Sequence, residues 1–364
     1  MGLWAKILTM FSEPKAEAES LALPKLQQPA DNNAFFHPLA LLDGLTQLEI
    51  EQRFLKVWLQ LDAELQLSAN VPKPLKDKLL NEQYRQAAVP RLPTVLPKLM
   101  RALRDPDTAA RDCVALIKQD AALLASVLQI ANSAVYRPSG MSDQSIEQAV
   151  VSLGLDGLRR VVCEALLKPI AKRSQAVGES QSNAAWQYSV RTAMIAEELA
   201  RINGQDGFLA YLLGLCQGLG YITLSNEFIK YSQVKNSAVN KPQIAEACLA
   251  FAATLSAEIV SDWPMPRELL EQLCVFAEFQ QVPSDHTLDS SKLTPPNDDS
   301  LASTLSLAVY ASQIYSLSQH DLKQQELGTD SEKGDELPLD LWSALAEQWG
   351  FNKLFLSQLA QSQI

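Results

Sequence analysis

Histidine is almost missing from this chain, with three among 364 residues, and none of them lies inside a motif that resembles a metal-ligand position. Glycine is sparse at 14 residues, and neither a P-loop nor a GxGxxG phosphate cradle occurs. Positive charge is in deficit: 31 Lys and Arg face 42 Asp and Glu, for a formal net charge of −11. The summed field therefore repels phosphate backbones, which excludes nucleic acid as a main partner. The five cysteines, at 113, 163, 216, 248 and 274, are odd in number and form no CxxC pair. They read as reduced thiols of a reducing compartment. No apolar run reads as long enough to span a bilayer, so no transmembrane segment is expected. The opening MGLWAKILTMFSEPK has neither a long apolar core nor a small-residue cleavage site, which predicts a cytoplasmic protein. Leu3, Trp4, Ile7, Leu8 and Phe11 fit either a loosely docked tail or a short surface helix leaning on a membrane or partner.

What is present is helical patterning. At 47% hydrophobic and 20% charged residues the chain is of the globular class. Residues 1–37 read as a flexible tail and 38–89 as a helical segment, in which Leu45, Leu48, Ile50, Phe54, Val57, Trp58, Leu61 and Leu65 recur at spacings of three and four. VPKPLKDKLL adds a short helix. Asp120 is positioned to cap the helix AALLASVLQIAN. Ser145 and Gln148 have the spacing of a capping box, and Gly154 reads as the stop of that helix. Residues 183–202 and 208–219 are apolar over more than one face and should be central. Further helices are predicted over 245–260, 267–279, 301–317 and 339–349. The polar stretches 282–299 and 318–336 read as exposed loops holding His286 and His320; His37 precedes a proline. No segment alternates as a strand would, and neither an internal repeat nor a GxSxG elbow is found. Cys216, between Gly214 and Gly218, reads as a core filler rather than a nucleophile.

Three pieces occur in an order and spacing that helix chemistry does not require: LPTVLPKLMRALRDPD, LIKQDAALLASVLQIANSAVY and SIEQAVVSLGLDGLRRVV. Together they resemble the opening half of the HDOD family, a bacterial signalling group related to the HD metal-dependent phosphohydrolases. The resemblance extends over about 90–317. It leaves 318–337 as a polar linker and 338–364 as C-terminal helices. It implies an all-α, HD-like helical bundle with a helical N-terminal extension and a C-terminal helix pair.

HD phosphohydrolases hold metal with a His, an adjacent His-Asp pair on a later helix and a distal Asp, so that a bound water is acidified and phosphate charge is neutralised. AAWQYSVRTAMIAEELA is similar to the first ligand helix and puts Tyr188 near the His position. FLAYLLGLCQGLG is similar to the paired-ligand helix and puts Cys216 and Gln217 at the pair. The stretch 301–312 offers no acid for the fourth ligand. The resemblance therefore implies no catalytic residues, no metal and no cofactor. It implies instead a non-catalytic signal-transduction or scaffold protein whose partners are regulatory proteins, among them cyclic-dinucleotide or two-component signalling proteins. A diverged phosphohydrolase and a small-molecule or nucleotide sensor without turnover are the alternatives. Asn132, Ser133, Tyr136 and Arg159, with Tyr188 and Gln217, are candidates for a ligand or partner pocket. Each also has a structural reading: a helix C-cap for Asn132, a solvated helix face for Arg159 and a buried, singly bonded ring for Tyr188. The oligomeric state is left open.

Overall fold

The computed structural model describes residues 47–361 apart from 62–71, 82, 84–94, 106–107, 134–135, 137–144, 173–178, 238–239, 264, 281–299 and 327–340. The tail before residue 47 and the loop 282–299 thus lie outside the described residues, as do His37 and His286. Regular structure among the described residues is entirely helical. In chain order the helices are α1 (Gln47–Leu59), α2 (Lys73–Leu80), α3 (Leu96–Arg104), α4 (Ala110–Ile117), α5 (Ala121–Ala131), α6 (Ile146–Lys172) and α7 (Glu179–Ile202). They continue with α8 (Gly207–Gln217), α9 (Leu219–Lys235), α10 (Lys241–Ser261), α11 (Arg267–Phe279), α12 (Leu301–Glu326), α13 (Leu341–Gln348) and α14 (Lys353–Gln361).

The caps are local chemistry. Asp120 accepts from Leu123 N at 2.9 Å, which satisfies one of the loose donors at the start of α5. Ser145 and Gln148 close a reciprocal box at the start of α6: Ser145 N donates to Gln148 Oε1 at 2.9 Å and Gln148 N to Ser145 Oγ at 3.3 Å. Gly154 breaks α6 but does not end the element. Its backbone turns through φ 69°, ψ −175°, and a second helical run continues to Lys172.

The bundle is centred on α7, α8 and α12. α8 is buried along nearly its full length and packs chiefly on α7, and α12 packs on α7 as well. Two segments require a correction to the reading that no apolar run reaches membrane-spanning length. Gly207–Lys235 and Lys241–Ser261 are long and apolar enough to do so, but 83% and 67% of their most apolar windows are buried against other helices. Their apolarity is that of core helices packed on several faces.

A second correction concerns the polar stretch after residue 317. α12 runs on to Glu326, and His320 lies within it, with Nδ1 3.5 Å from Asp321 Oδ1. Serines in this part of the helix are satisfied within it: Ser316 Oγ donates to Ser312 O at 2.7 Å and Ser318 Oγ to Tyr315 O at 2.9 Å. The C-terminal pair α13 and α14 is present. Trp342 meets Tyr315 edge-on, with ring centroids 4.8 Å apart.

Candidate functional site

Tyr188 lies on the buried face of α7, at 1% exposure. Phe54 of α1 covers its ring, with centroids 4.6 Å apart, and Tyr221 of α9 meets it edge-on at 5.7 Å. On α12, Gln313 Nε2 lies 3.5 Å from the Tyr188 hydroxyl. Burial pushes this phenol well above its usual range, and neighbouring Glu51 acts in the same direction. At neutral pH Tyr188 is therefore an un-ionised phenol.

Cys216 and Gln217 end α8 alongside the same stretch of α7: a side-chain carbon placed at Gly218 would fall 1.8 Å from Ser189 Oγ. Cys216 is fully buried, and burial pushes its thiol up to about 12, so no thiolate is available near pH 7. Gln217 is 1% exposed. Its amide Nε2 finds no hydrogen-bond partner among the described residues, while its backbone oxygen accepts from Ser256 Oγ at 2.6 Å. Ser256 also accepts from Gly220 N at 2.8 Å, so one hydroxyl of α10 holds both sides of the break between α8 and α9.

The group that sequence reasoning missed is Glu51. It enters from α1, is buried, and accepts a hydrogen bond from the Tyr221 hydroxyl at 2.5 Å. Burial pushes its carboxyl up to about 7, against the opposing effect of that bond. Beside it Ile50 packs on Tyr310, Ile314, Leu317 and Leu345. Nothing local in QLEIEQRF separates Glu51 from an ordinary solvated acid on an amphipathic helix. Its burial follows only from where α1 docks.

The residues at these positions do not fit a resident divalent metal. Such a site uses neutral imidazoles and ionised carboxylates. Here the donors are a neutral phenol, a neutral thiol and an amide, with one carboxyl engaged by a tyrosine. Among the described residues no cluster of three His, Cys, Asp or Glu side chains forms.

The other candidate residues serve separate local contacts. Asn132 caps α5, its Nδ2 donating to Leu128 O at 2.9 Å. Ser133 accepts at its backbone oxygen from Tyr136 N at 3.1 Å. The Tyr136 hydroxyl donates to Glu164 Oε1 at 2.5 Å, and Tyr211 of α8 donates to the same oxygen at 2.8 Å. Arg159 is more than a solvated face: its Nε donates to Leu103 O at the end of α3, Nη1 pairs with Asp156 at 2.7 Å, and the guanidinium lies 5.7 Å from the Phe208 ring centroid.

An all-helical domain, with the uncharged side chains of Tyr188, Cys216 and Gln217 buried where α7 and α8 pack together, is thus on view. A family model described as HDOD domain matches residues 89–276, and the chain belongs to the HDOD family. A relative from Treponema pallidum (strain Nichols), itself uncharacterized, is 26% identical over 208 residues, which is 54% of this chain and 39% of that protein. The match therefore spans about two fifths of the relative's length. Among solved structures, an HDOD domain protein with unknown function from Geobacter sulfurreducens aligns at TM-score 0.46 and 19% identity, over 79% of this chain and 95% of that one. A provisionally named metal-dependent phosphohydrolase from Shewanella amazonensis SB2B aligns at 0.47 and 17%, over 79% and 95%. A provisionally named signal transduction protein from Marinobacter aquaeolei VT8 aligns at 0.46 and 18%, over 90% and 69%.

Proposed function

We propose that this chain is a non-catalytic signalling or scaffold protein that works in the cytoplasm through protein contacts of its HDOD domain, with regulatory proteins as partners. The observation that carries the reading is Phe54 seated on Tyr188 at 4.6 Å. An apolar ring covers the phenol that the family resemblance puts near the first metal-ligand position. Beneath it Tyr188 and Cys216 are un-ionised at neutral pH and Gln217 carries no charge. Cyclic-dinucleotide and two-component signalling proteins are the partner classes that the family resemblance favours.

The test is to incubate the full chain with manganese, iron and nickel, remove excess metal, and measure both metal content and turnover. Substoichiometric metal and no hydrolysis of a simple phosphodiester or a cyclic dinucleotide are expected. One metal per chain with turnover above buffer would sink the proposal in favour of a diverged hydrolase.

A second reading, a small-molecule sensor without turnover, draws on buried polar atoms around the same position. Gln217 Nε2, Gln313 Oε1, Tyr310 Oη and Arg191 Nε have no hydrogen-bond partner among the described residues. Such groups are costly to leave unpaired and suit a polar guest. It predicts a melting temperature that rises with the concentration of some nucleotide or metabolite.

A further inference from the structure

α1 lies outside the family-matched residues yet packs on them through Phe54 against Tyr188 and Glu51 against Tyr221. It is a discrete element. Its last turn is ended by Gln60 in the left-handed region at φ 55°, with Gln60 N donating to Val57 O and Leu61 N to Lys56 O, a Schellman-like stop. Its inward face carries Ile50, Glu51, Phe54, Leu55 and Leu59, which rest chiefly on α12, with α10 and α7 beside it. An anchor made only of Ile, Leu and Phe would hold at every pH. This one has a carboxyl at its centre.

We propose that α1 is a releasable plug over the HD-type position, opening separately from the bundle, with the Glu51–Tyr221 hydrogen bond as its catch. The groups that face Glu51 are Tyr188 from α7, Tyr221 from α9, Cys248 from α10 and Tyr310 from α12. Burial raises the pKa of each, so all four are neutral at pH 7 and none supplies positive charge. Arg191, one turn from Tyr188 on α7, directs Nη2 to Ser316 Oγ at 2.9 Å. On α1 itself, Glu49, Arg53 and Lys56 lie at exposed or half-buried positions. Ionised Glu51 is therefore tolerated poorly when α1 is docked and freely when it is released. The docked carboxyl titrates near 7 and an ordinary one near 4.5, so docking is strongest below about pH 4.5, weakens up to about 7 and is level above that.

Native-state hydrogen exchange of the full chain between pH 5 and 8, corrected for intrinsic rates, tests it. Amides of 50–59 should open at a lower cost than those of α7 and α10. Their protection should fall roughly tenfold or more from pH 5 to 7 and then level off. Glu51→Gln, which keeps an acceptor for Tyr221 but cannot ionise, should flatten that slope. Phe54→Ala should lower protection of α1 at every pH and leave α7 and α10 protected. If α1 exchanges with α7 and α10 as one unit at every pH, or if its protection does not change with pH in the unaltered chain, the proposal is overturned. The same holds if Glu51→Gln retains the slope. The pH series on the unaltered protein decides the matter even if a variant fails to fold.

Discussion

Single side chains here are governed by burial more than by charge pairing. Glu164 is buried, with Tyr136 and Tyr211 donating to one oxygen, and burial raises its pKa against those two bonds. Tyr211→Phe removes one donor from an acid that water cannot reach and should lower stability by about 1–3 kcal/mol in urea denaturation. The cysteines follow the same rule. Cys163, Cys216 and Cys248 are buried with raised pKa values, Cys113 is likewise raised, and half-buried Cys274 is pushed up to about 11. A thiol reagent at pH 7.5 should therefore modify the native protein slowly and at Cys274 first, and all five cysteines rapidly once it is unfolded. Fast labelling of Cys216 in the native state would show that the core is more open than described. At this scale the sequence was readable where a residue sits in a helix apolar over several faces, as for the buried ring of Tyr188 and the core thiol of Cys216. It was unreadable where tertiary docking decides, as at Glu51, or where the partner is far along the chain, as for Glu164 and Tyr211.

Elements were legible to the extent that their ends are local. Asp120 and the Ser145–Gln148 pair sit where cap spacing puts them, because each bond closes within three residues. α12 reads as ending at 317 because the stretch that follows is polar, whereas the Ser316 and Ser318 hydroxyls return to the helix's own carbonyls. Two glycines separate two kinds of constraint. Gly154 has φ +69° with open space around a would-be side-chain carbon. Gly154→Ala should thus cost about 1–3 kcal/mol through backbone strain alone. Gly220 lets α9 touch α10, and a side-chain carbon there would fall 1.9 Å from Ala252 O. Gly220→Ala should cost at least about 3 kcal/mol, since backbone rather than a flexible side chain must move. Equal, small effects at both positions in chemical denaturation would refute this distinction.

For the whole molecule, the buried acids reverse the usual direction of acid sensitivity. Glu51 and Glu197 are each pushed up to about 7 by burial, the latter despite its ion pair with Arg160 at 2.8 Å, and Glu164 is raised as well. Between about pH 4.5 and 7 the folded chain holds more protons on these groups than the unfolded chain, so stability falls as pH rises through that window. The formal charge of −11 adds self-repulsion as the remaining carboxylates ionise. The urea midpoint should be higher at pH 5.5 than at pH 7.5, and an increase toward pH 7.5 would contradict the burial of these acids. The all-helical architecture and the central place of α7 and α8 were legible from apolar patterning, since those helices are apolar over several faces. The closure of the bundle by α1 was not, because it joins segments that no local pattern connects.

That closure also sets an order of events during synthesis. Ile50 rests on Tyr310, Ile314 and Leu317, so the ribosome must advance from residue 50 to beyond residue 310 before α1 has its seat. At translation speeds of roughly 5–20 residues per second, the nascent α1 waits on the order of ten seconds or more while the family-matched helices are made. Throughout that interval its apolar face lacks its chief partner, α12, which makes α1 a natural early client for chaperones.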